Sequence, residues 1–364
     1  MSDSTPESVK AWEDFCQRLK AAGNVLALPA TPQDDLSQAE GLRKLARMIR
    51  MGLEGSLEYA HSDFPEVYQL VTPTTLGEGE TSDSHYHQVM IDGSKSYRIF
   101  GKRGEAPFIE FTVYAGKIGY DEKSRQVGAI TEVDLAVNAD GSYELFLSPD
   151  EQKGNWIRTT PDASVVFIRQ YAHDWSQTAD ASFEIEQLGV EGRRPPVNLA
   201  EVTQALENTA VYVSRSVHTW AAIAAGSAER GPTNAIAPLP QATADDSPEM
   251  PTGHRFASGY FRLAADEALV IEFTPEEVPY WGLDFTTFWF EPLSYADHRS
   301  HVNNRTAKYE ADGSVRVVVG AEAGGAANWV DTLGHLEGVI MFRWSRTNAP
   351  LPTFETKVVK LAEL

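Results

Sequence analysis

Two stretches decide the fold: DGSYELFLSPDEQKGNWIRTTPDASVVFIRQ, residues 140–170, and DGSVRVVVGAEAGGAANWVDTLGHLEGVIMFRW, residues 312–344. Each begins with Asp-Gly-Ser, continues through an alternating apolar run, reaches Asn-Trp, and ends in an apolar run that holds an arginine. Gly141 lies 14 positions before Asn155, and Gly313 lies 15 before Asn328. Asn155 lies 14 before Arg169, and Asn328 lies 15 before Arg343. Upstream, FIEFTVYA (108–115) occupies the place of WGLDFTTFWF (281–290). Near-constant spacing over three anchors means two copies of one unit. The alternation within each copy, broken by Gly, Asp and Ser, means half-buried antiparallel strands. We therefore expect an α+β chain with two β-sandwich, jelly-roll-like domains of seven or eight strands each. What both copies share should serve the fold. Asp-Gly-Ser is a hairpin turn, Asn-Trp should fix a turn with the indole plugging the end of the core, and Arg169 and Arg343 should be paired internally.

Outward from the repeat the texture is helical. Trp12, Phe15, Cys16 and Leu19 recur at helical spacing up to Gly23, and Leu42, Leu45, Ala46, Ile49 and Leu53 form a second stripe. Asn198 with Glu201 three residues on is a capping box, and Leu199, Val202, Leu206, Val213, Val217 and Trp220 supply the buried face of its helix. Five prolines between Gly226 and Thr252 mark a linker. The expected organisation is a helical region over 1–63, a first sandwich over 64–195, a linking helix and Pro-rich linker over 196–252, and a second sandwich over 253–364.

Composition narrows the partners. A net charge of −21 opposes binding to nucleic acid or anionic membranes. No apolar run reaches transmembrane length, and the N-terminus has no secretory pattern, so a cytoplasmic, bacterial-type protein is expected. The single cysteine, Cys16, excludes an internal disulfide and a cysteine-rich metal site; it is read as a packing residue. The partner expected is a small molecule, with the oligomeric state left open, a homo-oligomer included.

What only the second copy carries cannot be ascribed to the common fold. The loop LSYADHRSHVNNR, 293–305, holds Tyr295, His298, Arg299, His301, Asn303 and Asn304, and further on stand Asp331 and His335. Where the second copy has Asp331, the first has Arg158. His298 and His301 are candidates for acid–base work, with Arg299 or Asp297 holding one imidazole in a chosen tautomer. Asn303 and Asn304 would bind developing charge. Asp331 would orient His335, four residues on. Tyr280, Trp281 and Tyr295 would give apolar walls. The competing reading is a polar loop that satisfies its own backbone. His85 and His87, two apart on an expected strand, share a face and would contact solvent or substrate. They lack a third ligand nearby, so no metal is expected. No phosphate loop, dinucleotide fingerprint or nucleophile elbow exists, so no organic cofactor is expected.

Tyr280, Trp281, His298, Arg299, His301, Val302, Asn303, Asn328, Trp329, Asp331, Thr332 and His335 together resemble the pattern of domain of unknown function 1214, a bacterial family whose members are often fused to a second such domain. The N-terminal half, YRIFGKRGEAPFIEFTVYAG (97–116), is similar to the corresponding part of the longer members. The resemblance implies two sandwiches with helices around and between them, and it implies no reaction. One departure is TSDSHYHQVMIDG (81–93), where relatives usually carry Asn-Pro-Asp and an apolar-tyrosine stretch. The expected function is a cofactor-independent enzyme of lyase, hydratase or hydrolase type on a small, largely apolar or aromatic molecule. The rivals are a carbohydrate- or peptide-binding module and a structural partner protein; a closed aromatic cavity at His298 or His301 would favour the enzyme, a shallow groove the binder.

Overall fold

The structure, a computed structural model, describes residues 5–77, 79–116, 124–230, 233–239 and 254–364. Helices α1 (Glu7–Ala22) and α2 (Asp35–Leu53) precede the first copy. That copy comprises β1 (Tyr68–Gln69), β2 (Ser84–Met90), β3 (Tyr97–Lys102), β4 (Phe108–Ala115), β5 (Arg125–Thr131), β6 (Ser142–Ser148), β7 (Asn155–Arg158), β8 (Ala163–Tyr171) and β9 (Glu184–Gln187). Helix α3 (Leu199–Arg230) follows. The second copy comprises β10 (Ala235–Pro238), β11 (His254–Arg262), β12 (Glu267–Phe273), β13 (Tyr280–Phe285), β14 (His301–Asn303), β15 (Val315–Gly320), β16 (Asn328–Asp331), β17 (Glu337–Ser345) and β18 (Glu355–Lys360).

The repeat holds strand by strand. The first sandwich sets a larger sheet, β1-β2-β8-β4-β5, against a smaller one, β7-β6-β3-β9; the second sets β10-β11-β17-β13-β14 against β16-β15-β12-β18. Adding nine to each strand number converts one copy into the other. Each copy thus has nine strands among the described residues, more than the seven or eight expected. One pair in each, β6 with β7 and β15 with β16, is parallel rather than antiparallel.

The shared residues do the same work twice. Gly141 and Gly313 take φ of +79° and +85° in the Asp-Gly-Ser turns, a region glycine enters without steric cost. The Asn155 amide donates to the carbonyls of Ala136 and Glu144 and accepts from the Ala136 N–H. Asn328 repeats this with Lys308 and Arg316. These asparagines pin the preceding loop to the start of the parallel strand, where no ladder bond reaches it. The tryptophans do not plug the core. Trp156 and Trp329 are half-buried, their indole N–H groups donating to the carbonyls of Ser148 and Gly320, and Trp329 packs outside the smaller sheet on Ala268, Val270 and Val318.

Alternation explains the layers. In β8, Val166 and Ile168 enter the first core with Ile109, Phe111 and Val113 of β4. In β17, Ile340, Phe342 and Trp344 enter the second core with Trp281, Leu283 and Phe285 of β13. The other face of each larger sheet is also covered, by the helices and by the opposite copy, which is why β8 and β17 read as nearly continuous apolar runs.

The helical layer departs from the sequence reading. In α2, Leu42 and Ala46 are exposed, whereas Lys44, Arg47, Met48 and Met51 are buried. Two cations face inward because partners await them. Lys44 Nζ donates to the Gly77 carbonyl at 2.6 Å, and Arg47 meets Glu291 of the second copy at 2.5 Å. Trp12 and Cys16 of α1 are exposed rather than packed. Leu199 is exposed as well, while Val213 and Val217 are buried and the Asn198 carboxamide caps the Glu201 N–H at 3.0 Å. The expected linker is partly structured: α3 runs to Arg230 and β10 pairs with β11, while residues 240–253 lie outside the described residues. Among the described residues no helix is long and apolar enough to cross a membrane.

Candidate functional site

The two larger sheets face each other along a seam lined with polar side chains. In β13, Trp281, Leu283 and Phe285 point into the core, so Tyr280, Gly282 and Asp284 point to the seam. In β17 the seam takes Arg343 and Ser345; in β14 it takes His301 and Asn303, with Val302 inward. The first copy contributes Tyr86 from β2, Arg169 and Tyr171 from β8, and Glu110 from β4. Both repeat arginines are buried and paired, Arg169 with Glu110 at 3.4 Å and Arg343 with Asp284 at 2.6 Å.

Residues 79–83 of the first copy cross onto the second. Arg343 Nη2 donates to the Gly79 carbonyl at 2.7 Å. The Thr81 hydroxyl and the Ser82 N–H donate to the Asp284 carboxylate at 2.9 and 3.0 Å. Asp83, buried, then places its carboxylate among three donors of the second copy. The Tyr280 hydroxyl donates to Oδ2 at 2.9 Å, Asn303 Nδ2 lies 3.0 Å from both oxygens, and His301 Nε2 lies 3.0 Å from Oδ1. Tyr280 reaches Asp83 only because the next residue on its face is glycine: a Cβ on Gly282 would stand 2.4 Å from the Tyr280 hydroxyl oxygen. Phe108, Tyr171 and His173 of the first copy fence the Tyr280 ring at 5.7–5.9 Å between centroids.

Burial by itself would push the His301 imidazole below its usual range. The Asp83 carboxylate, through its charge and its hydrogen bond and helped by Asp284, outweighs burial and raises the pKa to about 9. His301 is therefore an imidazolium at neutral pH, with a hydrogen on each nitrogen. Nε2–H is taken by Asp83, and Nδ1 is buried with no partner among the described residues. The side chain keeps 21% of its surface open. Tyr295 stands edge-on to it, its phenol held protonated by burial and by nearby carboxylates. Burial and Asp83 likewise keep the Tyr280 phenol protonated.

Among the described residues the first copy has no such pair. Glu110 faces Arg169 across the ladder as Gly282 faces Arg343. Carrying that register to the neighbouring strand puts Ala129 where the second copy has His301, and Thr131 where it has Asn303.

The structure brings together His301, Asn303, Tyr280 and Tyr295 of the expected site residues and separates the others. His298 is exposed, its Nδ1 3.5 Å from Asp331 Oδ2. Asp331 therefore serves His298 and the turn at Leu333, whose N–H it accepts at 2.8 Å, and does not orient His335. His335 is buried beside Asp34 and Glu40 near the start of α2, its pKa lowered by burial. Arg299 is exposed. Trp281 is core, stacked on Phe342, and walls nothing at the seam. Asn304 reaches back to the Val278 and Pro279 carbonyls as a loop tie. His85 and His87 share a face of β2, as alternation requires, but it is the inner face of the first sandwich. His85 lies on Trp175, and His87, its pKa lowered to about 4 by burial, sits against Phe183. Among the described residues no group of three or more His, Cys, Asp and Glu is placed to hold a metal.

Asp83 is the residue the sequence reading missed. It lies two residues before His85, in the segment 81–93. A second buried cluster joins Glu291 to Lys44 and Arg47; burial raises the Glu291 pKa to about 7 against the pull of both cations.

The family model described as "Protein of unknown function (DUF1214)" matches residues 80–174 and 260–348, about half of the chain and one segment in each copy. The crystal structure of an uncharacterised protein from Burkholderia cenocepacia is 33% identical, covers 97% of this chain and 98% of its own, and has a TM-score of 0.92. The VPA0106 protein from Vibrio parahaemolyticus shares the fold, with a TM-score of 0.50 and 10% identity over 95% of this chain and 99% of that one. No curated protein matches the chain.

Proposed function

The chain belongs to the DUF1214 family of proteins of unknown function, and we propose that it is a cofactor-independent enzyme acting on a small molecule by acid–base chemistry at the seam. His301 is the acid. Its imidazolium is stabilised by Asp83, and its second N–H, on the buried Nδ1, has no acceptor among the described residues, so it is left to protonate or stabilise oxygen on which negative charge develops in a molecule that reaches it. Asp83 carries the countercharge, Tyr280 and Asn303 hold Asp83, and Tyr295 supplies an apolar wall. The observation that carries this reading is the buried ion pair with one N–H left over. A buried charge pair that served the fold alone would be expected to satisfy every hydrogen. The reaction class that fits is lyase, hydratase or hydrolase chemistry with proton donation to a leaving or carbonyl oxygen. The absence of the pair from the first copy supports a role beyond folding.

The test is depletion of small organic molecules from a defined mixture of esters, enones and hydroxy acids, followed by mass spectrometry. Wild type should deplete one class, and His301→Gln, assayed at a temperature where it is folded, should not. Equal depletion by both proteins overturns the role of His301. A molecule retained unchanged by wild type would assign the chain to the binding modules instead.

A further inference from the structure

The Asp83 carboxylate can meet three donors only if its main chain is fixed, and the residues that fix it belong to the first copy. The Asp83 carbonyl accepts two hydrogen bonds of 3.0 Å, one from the Ala172 N–H and one from the indole Nε1–H of Trp175. Trp175 opens a short 3-10 turn, Trp175–Gln177, which Asp174 caps by accepting from the Ser176 N–H at 2.9 Å. The indole lies flat on the His85 imidazole, with centroids 3.7 Å apart and planes 7° apart. His85 is held in turn by Asp180, Nδ1 to Oδ1 at 2.9 Å. The same loop offers the His173 carbonyl to Asn303 Nδ2 at 3.0 Å. One segment, 172–175, therefore grips two of the groups gathered around His301: the main chain of Asp83 and the amide of Asn303.

We propose that Trp175, braced by His85 and Asp180, is a positioning residue that holds the Asp83 carboxylate against His301. The inference rests on His301–Asp83 being the working pair, and it gives the His-x-His segment of β2 a job that neither metal binding nor substrate contact supplies. Trp175 acts through Asp83. An indole N–H is a single donor on a rigid ring, so its direction is set by the stack beneath it. The ring is half-buried and belongs to neither sandwich core.

The readout is the protonation of His301. The charged groups facing it are Asp83 and Asp284, with Tyr295 edge-on, so a movement of Asp83 registers there directly. Histidine-labelled full-length protein is titrated by NMR, with the His301 signal assigned by its loss in His301→Gln. Trp175→Phe keeps a ring over His85 and removes the N–H; His85→Gln keeps the indole N–H and removes the stacked ring. In Trp175→Phe the His301 midpoint should fall by about one pH unit or more, tenfold in proton affinity. In His85→Gln it should fall in the same direction by less. A merely structural role would lower the melting temperature and leave the midpoint in place. A folded Trp175→Phe protein whose His301 midpoint equals that of wild type overturns the proposal, and a shift in Trp175→Phe with none in His85→Gln overturns the bracing by His85. Should Asp83→Asn itself fail to move the midpoint, the His301–Asp83 pair is the reading that fails.

Discussion

Replacing Asp83 by asparagine keeps the side chain's size while it removes one negative charge and one acceptor oxygen, which makes it the sharpest probe of the seam. All three groups at the carboxylate are donors: the Tyr280 hydroxyl, Asn303 Nδ2 and His301 Nε2–H. While His301 is charged an amide cannot serve them all, since its NH2 would turn a donor toward a donor. The expected cost is about 3–5 kcal/mol, the range for breaking a buried pair by removing one partner. The pH dependence says more. In wild type the Asp83 carboxylate holds the folded His301 pKa up at about 9, against about 6.5 for an ordinary histidine. Its contribution to stability is therefore full below pH 6.5 and is lost as pH rises to 9. At about 1.4 kcal/mol per unit, the loss between pH 7.5 and 9 is on the order of 2 kcal/mol. In Asp83→Asn burial dominates, the folded pKa drops below 6.5, and this downward slope vanishes. Glu291, whose folded pKa is about 7, would blur the comparison below neutrality, so the window starts at 7.5. Urea unfolding at pH 7.5 and 9, together with NMR titration of His301, measures both quantities. An unchanged slope and an unchanged midpoint in Asp83→Asn would refute the reasoning.

Three further outcomes are expected. Gly282→Ala places a methyl carbon 2.4 Å from the Tyr280 hydroxyl oxygen and should cost about 1–3 kcal/mol; the cost should shrink in a Tyr280→Phe background, and a double-mutant cycle with no coupling would exclude this contact. Glu291 has a folded pKa raised from 4.5 to about 7, so it holds more protons folded than unfolded and stability falls as pH rises from 4.5 to 7; Glu291→Gln should flatten that fall in urea titrations at pH 5 and 7. His298→Ala removes only an exposed pair with Asp331, so stability should change by less than about 1 kcal/mol and the His301 midpoint should stay where it is.

The repeat was legible because its anchors are local. Asp-Gly-Ser, Asn-Trp and a lone arginine in an apolar strand each owe their place to neighbours within one hairpin or one ladder, and spacing along the chain preserves that. Subtracting one copy from the other then isolated His301 and Asn303, because a fold required twice cannot account for what occurs once. Subtraction could not sort the remainder. His298, Asp331 and His335 passed the same filter, yet they end on an exposed loop and against α2. Spacing misled there: Asp331 turns to His298, 33 positions earlier, rather than to His335, four positions on. The α2 stripe failed for a related reason. Periodicity ranks faces by apolarity, but Lys44 and Arg47 are drawn inward by Glu291 and by main-chain carbonyls far along the chain.

Two sandwiches, their turns and their inward faces follow from residues close together in the chain, and so does the presence of a histidine that the repeat does not share. What that histidine meets is set by the docking of the two copies, because its partner Asp83 is 218 positions away in the other copy. Strand alternation states which way a side chain points but not what it will meet. Two sheets docked face to face bring together residues whose separation in sequence carries no period, and the proton affinity of His301 depends on that docking alone.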